Sequence, residues 1–166
     1  MTPLPPSVAR AWLPVALTRD VTDRPLARKL AGTPIVLVRM AGKVRGFVDR
    51  CPHRNYPLSE GRLHDGLLEC PYHGWRFGPD GVVRDVPGQA PGEAVPAKIA
   101  CEGLAVEERH GAVFARLSAE GPAELWLPPL IGDPGHDHFW WGHDSWRGRA
   151  IDAVENVLDP YHTSFI

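Results

Sequence analysis

The chain has 166 residues, room for one ordinary domain or for a small domain and part of another. It is 43% hydrophobic and 23% charged with a net charge of −2, a globular balance without a lysine–arginine cluster, which argues against nucleic-acid and anionic-lipid partners. No apolar run approaches a membrane span, no basic-then-apolar leader opens the chain, and three cysteines are an odd number for a disulfide framework, so the expected compartment is the cytoplasm.

Glycine (17) and proline (18) are abundant without any repeat, and apolar runs lie between them, which predicts a turn-rich, mainly β protein. Ile35 to Arg39 is the first predicted strand and Val44 to Asp49 the second, with Ala41-Gly42-Lys43 between them. The second strand leads into CPHRNYPLSEGRLHDGLLECPYHGW, Cys51 to Trp75. GLLEC and GWRF read as short strands flanking the Cys70–His73 loop; GPDG (Gly78 to Gly81) is a turn, and VVRDV follows as a strand. PGQAPGEAVPAK is a loop, and Leu104 to Leu117 is a hairpin turning at His110-Gly111. Ser118 to His138, rich in proline and glycine, reads as a linker between two units. FWWGHDSWRGRAI would open the second unit as a strand. DAVENVLDPYHTSFI reads as a helix with Asp152 as N-cap and a kink or stop at Pro160.

Cys51-x-His53 and Cys70-x-x-His73 offer two thiolates and two imidazoles from two short loops. Such a set can make a tetrahedral zinc site, or hold an iron–sulfur cluster in which two histidines replace two cysteines on one iron. The pattern favours the cluster. Each loop presents one Cys and one His, so the cysteines can share one iron and the histidines the other, whereas zinc loops usually pair like ligands. Both cysteines precede proline, which biases them towards extended backbone, and Gly61, Gly66 and Gly74 are expected to let the backbone approach a bulky inorganic core.

CPHRNYPLSEGRL and CPYHGWRF resemble the two halves of the Rieske [2Fe–2S] motif in its oxygenase branch, over roughly residues 10 to 117. The resemblance implies antiparallel sheets that clamp the cluster at the tips of two loops, with Cys51, His53, Cys70 and His73 as ligands. Tyr56 and Tyr72 stand where respiratory-type members carry disulfide cysteines, and Trp75 where they carry a serine that hydrogen-bonds to the cluster. The potential should therefore lie toward the low end of the Rieske range. Two neutral imidazoles in place of thiolates make the oxidised cluster neutral, which eases reduction, and their distal nitrogens couple electron uptake to proton uptake. Asn55 stands where the family often has glycine; asparagine tolerates a positive φ, so the loop can still form. Arg54 reads equally as an anchor of the loop or of a subunit contact and as a plain solvated arginine.

Asn156, Asp159 and His162 recur at i, i+3 and i+6, a polar stripe of the kind that is ordinarily a solvated helix face. ENVLDPYHTSF also resembles the start of the catalytic domain of Rieske non-heme iron oxygenase α subunits, monooxygenase and demethylase members included. That resemblance makes His162 a ligand of a mononuclear Fe(II) and Asp159 the bridge for electron transfer between subunits. The second histidine would follow Ile166 and the carboxylate would lie further on, so this chain supplies one protein ligand of three. The implied domains are a Rieske domain at 10–117, a linker at 118–138 and the beginning of an α+β catalytic domain at 139–166. The implied partners are an NAD(P)H-dependent reductase or ferredoxin, O2, a small organic substrate for hydroxylation or demethylation, and further copies of the chain in a head-to-tail ring, commonly a trimer. The chain itself has no phosphate-binding glycine loop for nicotinamide or flavin. The second reading is a stand-alone Rieske ferredoxin-type carrier with no oxygen chemistry. Cys101 is expected to be a small buried hydrophobe in a strand, and His64 a loop histidine. His136, His138 and His143 resemble a metal tract whose spacing fits no common site.

Overall fold

The computed structural model describes residues 6–89, 98–118, 120–122, 124–137, 149 and 151–152. Its architecture follows from the run Ile35-Val36-Leu37-Val38, which is continuously apolar where a half-exposed strand would alternate; such a run belongs in a strand covered on both faces. That strand is β3 (Thr33–Met40), the centre of an antiparallel sheet between β2 (Leu26–Leu30) and β4 (Lys43–Val48). Ile35 and Leu37 face one core with Val21, Leu30 and Val44, while Val36, Val38 and Met40 face another with Phe47 and Leu58.

A sheet packs into each core. Towards Ile35 and Leu37 lies the order β1 (Leu13–Leu17), β10 (Ala112–Arg116), β9 (Ala105–Arg109), which contributes Ala16, Val113 and Ala115. Towards Val36 and Val38 lie β5 (Arg62–His64), β6 (Leu67–Glu69), β7 (Arg76–Phe77) and β8 (Val83–Asp85), which contribute Leu68, Phe77 and Val83. Neighbouring strands in all three sheets are antiparallel, and a short helix α1 (Pro6–Arg10) precedes β1. The expected mainly β, antiparallel fold is the one observed.

Four hairpins close on an X-Gly dipeptide with both φ angles positive: Ala31-Gly32, Ala41-Gly42, Asp65-Gly66 and His110-Gly111. This is the two-residue type I′ geometry, whose twist matches that of the strands it joins. The second and fourth are the turns expected from the sequence. The third places His64 at the end of β5, not in a loop, where it pairs with Asp65 at 3.3 Å. GPDG closes as a turn with Gly81 N–H donating to the Gly78 carbonyl at 2.8 Å.

β1, β2 and β5 were not among the predicted strands. In β1 the obstacle is Pro14, which a central strand would reject. β1 lies on the sheet edge and pairs only with β10, with a register shift between Pro14 and Ala16. The strand expected around Cys101 is reduced to two isolated bridges, Ala100 with Val82 and Gly103 with Phe47, although Cys101 is buried as expected.

The first part of the Ser118–His138 segment packs on the β1–β10–β9 sheet. The Pro122 carbonyl accepts from Trp12 Nε1 at 3.1 Å and from Arg116 Nη1 at 3.0 Å. Leu125 is buried against Ala112 and Phe114, and its carbonyl accepts from Arg109 Nη1 at 3.2 Å. The centre of the Pro87–Lys98 loop (90–97), the strand expected near residue 139 and nearly all of the final helix lie outside the described residues. Ile151 and Asp152 are helical, and the Asp152 carboxylate holds Arg149 at 2.6 and 3.0 Å.

A 3-10 turn, Leu58–Glu60, ends at Gly61 with an ordinary φ of −86°. Proximity alone demands glycine there: a Cβ would lie 2.1 Å from the Glu69 carbonyl oxygen and 3.0 Å from that of Leu58. Gly61→Ala should therefore force backbone apart and cost about 1–3 kcal/mol. Thermal unfolding of the variant checks this; an unchanged midpoint would contradict the close approach.

Candidate metal centre

The two Cys/His loops are built on one plan. The first, Cys51 to Pro57, leaves the end of β4; the second, Cys70 to Trp75, joins β6 to β7. In each, the cysteine N–H donates to the carbonyl five residues on, Cys51 to Tyr56 at 2.8 Å and Cys70 to Trp75 at 2.9 Å. The residue four on donates back to the cysteine carbonyl, Asn55 at 2.8 Å and Gly74 at 2.9 Å. Both of these return residues are left-handed, with φ of 57° at Asn55 and 70° at Gly74. Asparagine is among the few side chains that enter this region readily, as expected for Asn55.

This shared plan packs rings across the loops. The residue five after each cysteine meets the residue two after the opposite cysteine: Trp75 lies on His53 at 4.4 Å and 9° between planes, and Tyr56 lies against Tyr72 at 5.4 Å. The His53 and His73 rings are 4.7 Å apart, and Tyr72 touches His73 at 3.9 Å. Tyr56 and Tyr72, which stand where respiratory-type members carry disulfide cysteines, thus form a ring pair.

Depth separates the four candidate ligands. Cys51 and Cys70 are 1% exposed and belong to the core that contains Val36, Leu68 and Phe77, whereas His53 is half-buried and His73 exposed. Burial pushes the Cys51 thiol up to about 11 and the adjacent Cys70 adds to this, while the backbone N–H groups of His53 and Arg54 act in the opposite sense by favouring the thiolate. Cys101, buried beside both, is pushed up to about 12, chiefly by burial, which leaves it an inert thiol. Burial, His73 and Arg54 together lower the pKa of His53, holding it in the neutral form that ligates metals.

His53 Nδ1 is buried and has no hydrogen-bond partner, an arrangement that costs free energy unless something else takes its lone pair. A metal would do so. The donors divide into a thiol pair in the core and an imidazole pair above it. Among the described residues no three His, Cys, Asp or Glu side chains are placed to hold a single metal ion. That division suits two irons bridged by sulfide better than a single tetrahedral ion, so Cys51, His53, Cys70 and His73 fit a [2Fe–2S] cluster.

Gly61, Gly66 and Gly74 each have a reason within the protein to be glycine: Gly61 clears the Glu69 carbonyl, Gly66 completes the β5–β6 turn, and Gly74 is left-handed with Pro87 Cγ 2.8 Å from where its Cβ would be. Arg54 is exposed and forms no ion pair with a carboxylate among the described residues. His136 bonds to Asp133 at 2.9 Å. His138, His143, Asn156, Asp159 and His162 lie outside the described residues.

Two supporting carboxylates were missed. Asp49 accepts from the Ser59 backbone N–H at 2.8 Å and from its hydroxyl at 2.6 Å, tying together the two ends of the first loop. Glu69, 7% exposed, accepts from Arg62 Nε and Arg76 Nε, both at 2.8 Å, just before Cys70. An acid in an otherwise apolar LLEC strand was the available signal.

The family model of the Rieske [2Fe-2S] domain matches residues 11–106. Protein TIC 55, chloroplastic, of Pisum sativum is 36% identical over 157 residues, which cover 91% of this chain and 28% of that protein. The oxygenase component of dicamba O-demethylase from Stenotrophomonas maltophilia is 35% identical over 164 residues, covering 96% of this chain and 47% of its own length. Among solved structures, a Pseudomonas putida CBB5 NdmA mutant with theobromine superposes with a TM-score of 0.76 at 27% identity, over 95% of this chain and 49% of that one. The chain spans about half the length of these relatives or less.

Proposed function

The chain belongs to the Rieske [2Fe-2S] domain family, and from that premise we propose that its folded part is the electron-transfer unit of an oxygenase component. The orphaned, buried Nδ1 of His53, set against the His73 ring above two buried thiols, carries this reading. Cys51 and Cys70 hold one iron and His53 and His73 the other. The cluster, when bound, stores one electron. The chain's own contribution is placement: the core strands keep water from the sulfurs, the N–H groups of His53 and Arg54 favour negative charge on Cys51, and the exposed His73 presents its distal nitrogen to a partner.

In the complete protein, His162 is one ligand of a mononuclear Fe(II), and Asp159 links that site to a cluster histidine of a neighbouring subunit in a head-to-tail ring, a trimer. A reductase or ferredoxin delivers the electrons, and O2 with a small organic substrate consumes them in hydroxylation or demethylation. The names of several relatives support this: dicamba O-demethylase and vanillate O-demethylase are represented by their oxygenase component or subunit, and phenoxybenzoate dioxygenase by its subunit alpha. No described helix is long and apolar enough to cross a membrane. The cytoplasm is proposed on the sequence alone, and two relatives are chloroplastic.

Metal and sulfide analysis tests the reading. Purified without oxygen, the protein should contain about two irons and about two acid-labile sulfides per chain. Equimolar zinc without sulfide would refute it.

A further inference from the structure

Resting on the cluster reading above, we infer that Trp75 is a positioning residue that fixes the plane of the His53 imidazole at the metal. A ligating histidine is usually oriented by donating its other ring N–H to a carboxylate or carbonyl. No hydrogen bond among the described residues holds the His53 ring, and its buried Nδ1 is free for the metal. What holds the ring is a flat surface: Trp75 lies 4.4 Å away and within 9° of parallel.

Trp75 is itself fixed from three directions. Its indole packs against the core that holds both thiols, its carbonyl accepts the Cys70 N–H at 2.9 Å, and the preceding Gly74 is locked in a left-handed turn against Pro87. A rotation of His53 would have to open this packing, so the stack transmits the rigidity of the core to one ligand.

His73 has no equivalent. Its neighbour Tyr72 is tilted by 38° and is 57% exposed, so it offers no rigid face. The two imidazoles are therefore held differently: His53 is clamped and His73 is open to solvent and partners. The pseudo-symmetric counterpart of the stack, Tyr56 on Tyr72, closes the two loops but does not touch His53.

The experiment compares the cluster-loaded protein with Trp75→Phe, whose smaller ring overlaps the imidazole less, and Trp75→Met, which fills the space towards the core without a ring. The readout is the pair of histidine nitrogen hyperfine couplings and the principal g values of the reduced cluster, with iron and sulfide measured alongside. One of the two nitrogen couplings should shift or broaden, more in the Met variant than in the Phe variant, while the other stays and the iron and sulfide content is unchanged. Wild-type couplings in Trp75→Met, or equal movement of both, would overturn the inference. If Trp75→Met does not fold, Trp75→Phe decides: a small change confined to one coupling supports the role and an unmoved pair overturns it. Failure of the cluster reading itself is distinguishable, because the wild-type protein would then contain no sulfide.

Discussion

Replacing His73 with cysteine is expected to lower the reduction potential of the bound cluster by on the order of 100 mV. The sign follows from charge. With two thiolates and two neutral imidazoles, the oxidised centre carries no net charge; a third thiolate makes it an anion before the electron arrives, and reduction then works against that charge. The size follows from the families of such centres. Exchanging both histidines for cysteines spans roughly 250 mV or more between Rieske and plant-type clusters, so one exchange accounts for about half. His73 is the appropriate site because it is exposed and lies outside the Trp75–His53 stack, and because the loop's hydrogen bonds run through the backbones of Cys70, Gly74 and Trp75. Solvent near the exposed ligand screens part of the added charge and keeps the shift from being larger. Potentiometric titration followed by the signal of the reduced cluster gives the answer. A rise in potential would refute the electrostatic account, and an unchanged value would mean that residue 73 is not a ligand.

The same separation of buried sulfur from exposed imidazole shows what could be read from the residues and what could not. The candidate ligands were legible because four chemically special side chains recur at fixed spacing, and spacing survives ignorance of the fold. The cross-loop ring packing was not legible. It depends on the five-residue repeat of backbone hydrogen bonds, which the unequal Cys-x-His and Cys-x-x-His spacings conceal. Strands β3 and β4 were found because their apolar runs flank a recognised turn. β2 and β5 were lost although Ala31-Gly32 and Asp65-Gly66 mark their hairpins as plainly as Ala41-Gly42 marks the next. β1 was lost for a better reason: Pro14 is tolerable only on an edge, and edge position is a property of the sheet that no local stretch records. The packing of Leu125 on Phe114 was likewise hidden, because a proline-rich segment with isolated apolar residues looks like a tether until the surface it covers is known.

Glu69→Ala is expected to destabilise the fold by about 1.5–3 kcal/mol, the range for losing hydrogen bonds to charged groups, because Arg62 reaches solvent and Arg76 keeps Asp85 as a partner. At roughly 4 °C per kcal/mol, the value between the ranges for small and for larger domains, the thermal midpoint should fall by about 6–12 °C. The carboxylate sits on β6 and holds Arg62 on β5 with one oxygen and Arg76 on β7 with the other; Arg76 continues to Asp85 on β8 at 3.0 Å. It thereby ties together the strands on both sides of the second cluster loop. Burial by itself would raise the pKa of Glu69, but the hydrogen bonds and charges of Arg76 and Arg62 outweigh it and hold the group below its ordinary 4.5. A group whose pKa is lowered on folding contributes stability in full above its unfolded pKa and loses it as pH falls through the folded one. Glu69→Gln, which keeps an acceptor oxygen and removes the charge, isolates that contribution. The stability gap between wild type and Glu69→Gln should be widest at neutral pH, hold down to about pH 4.5 and shrink below it. Denaturant unfolding of the two proteins from pH 7 to pH 3 measures the gap directly. A gap that stays constant across that range would mean that the ion pairs contribute geometry and no charge-dependent stability, and that acid weakens the second cluster loop, if at all, through another carboxylate.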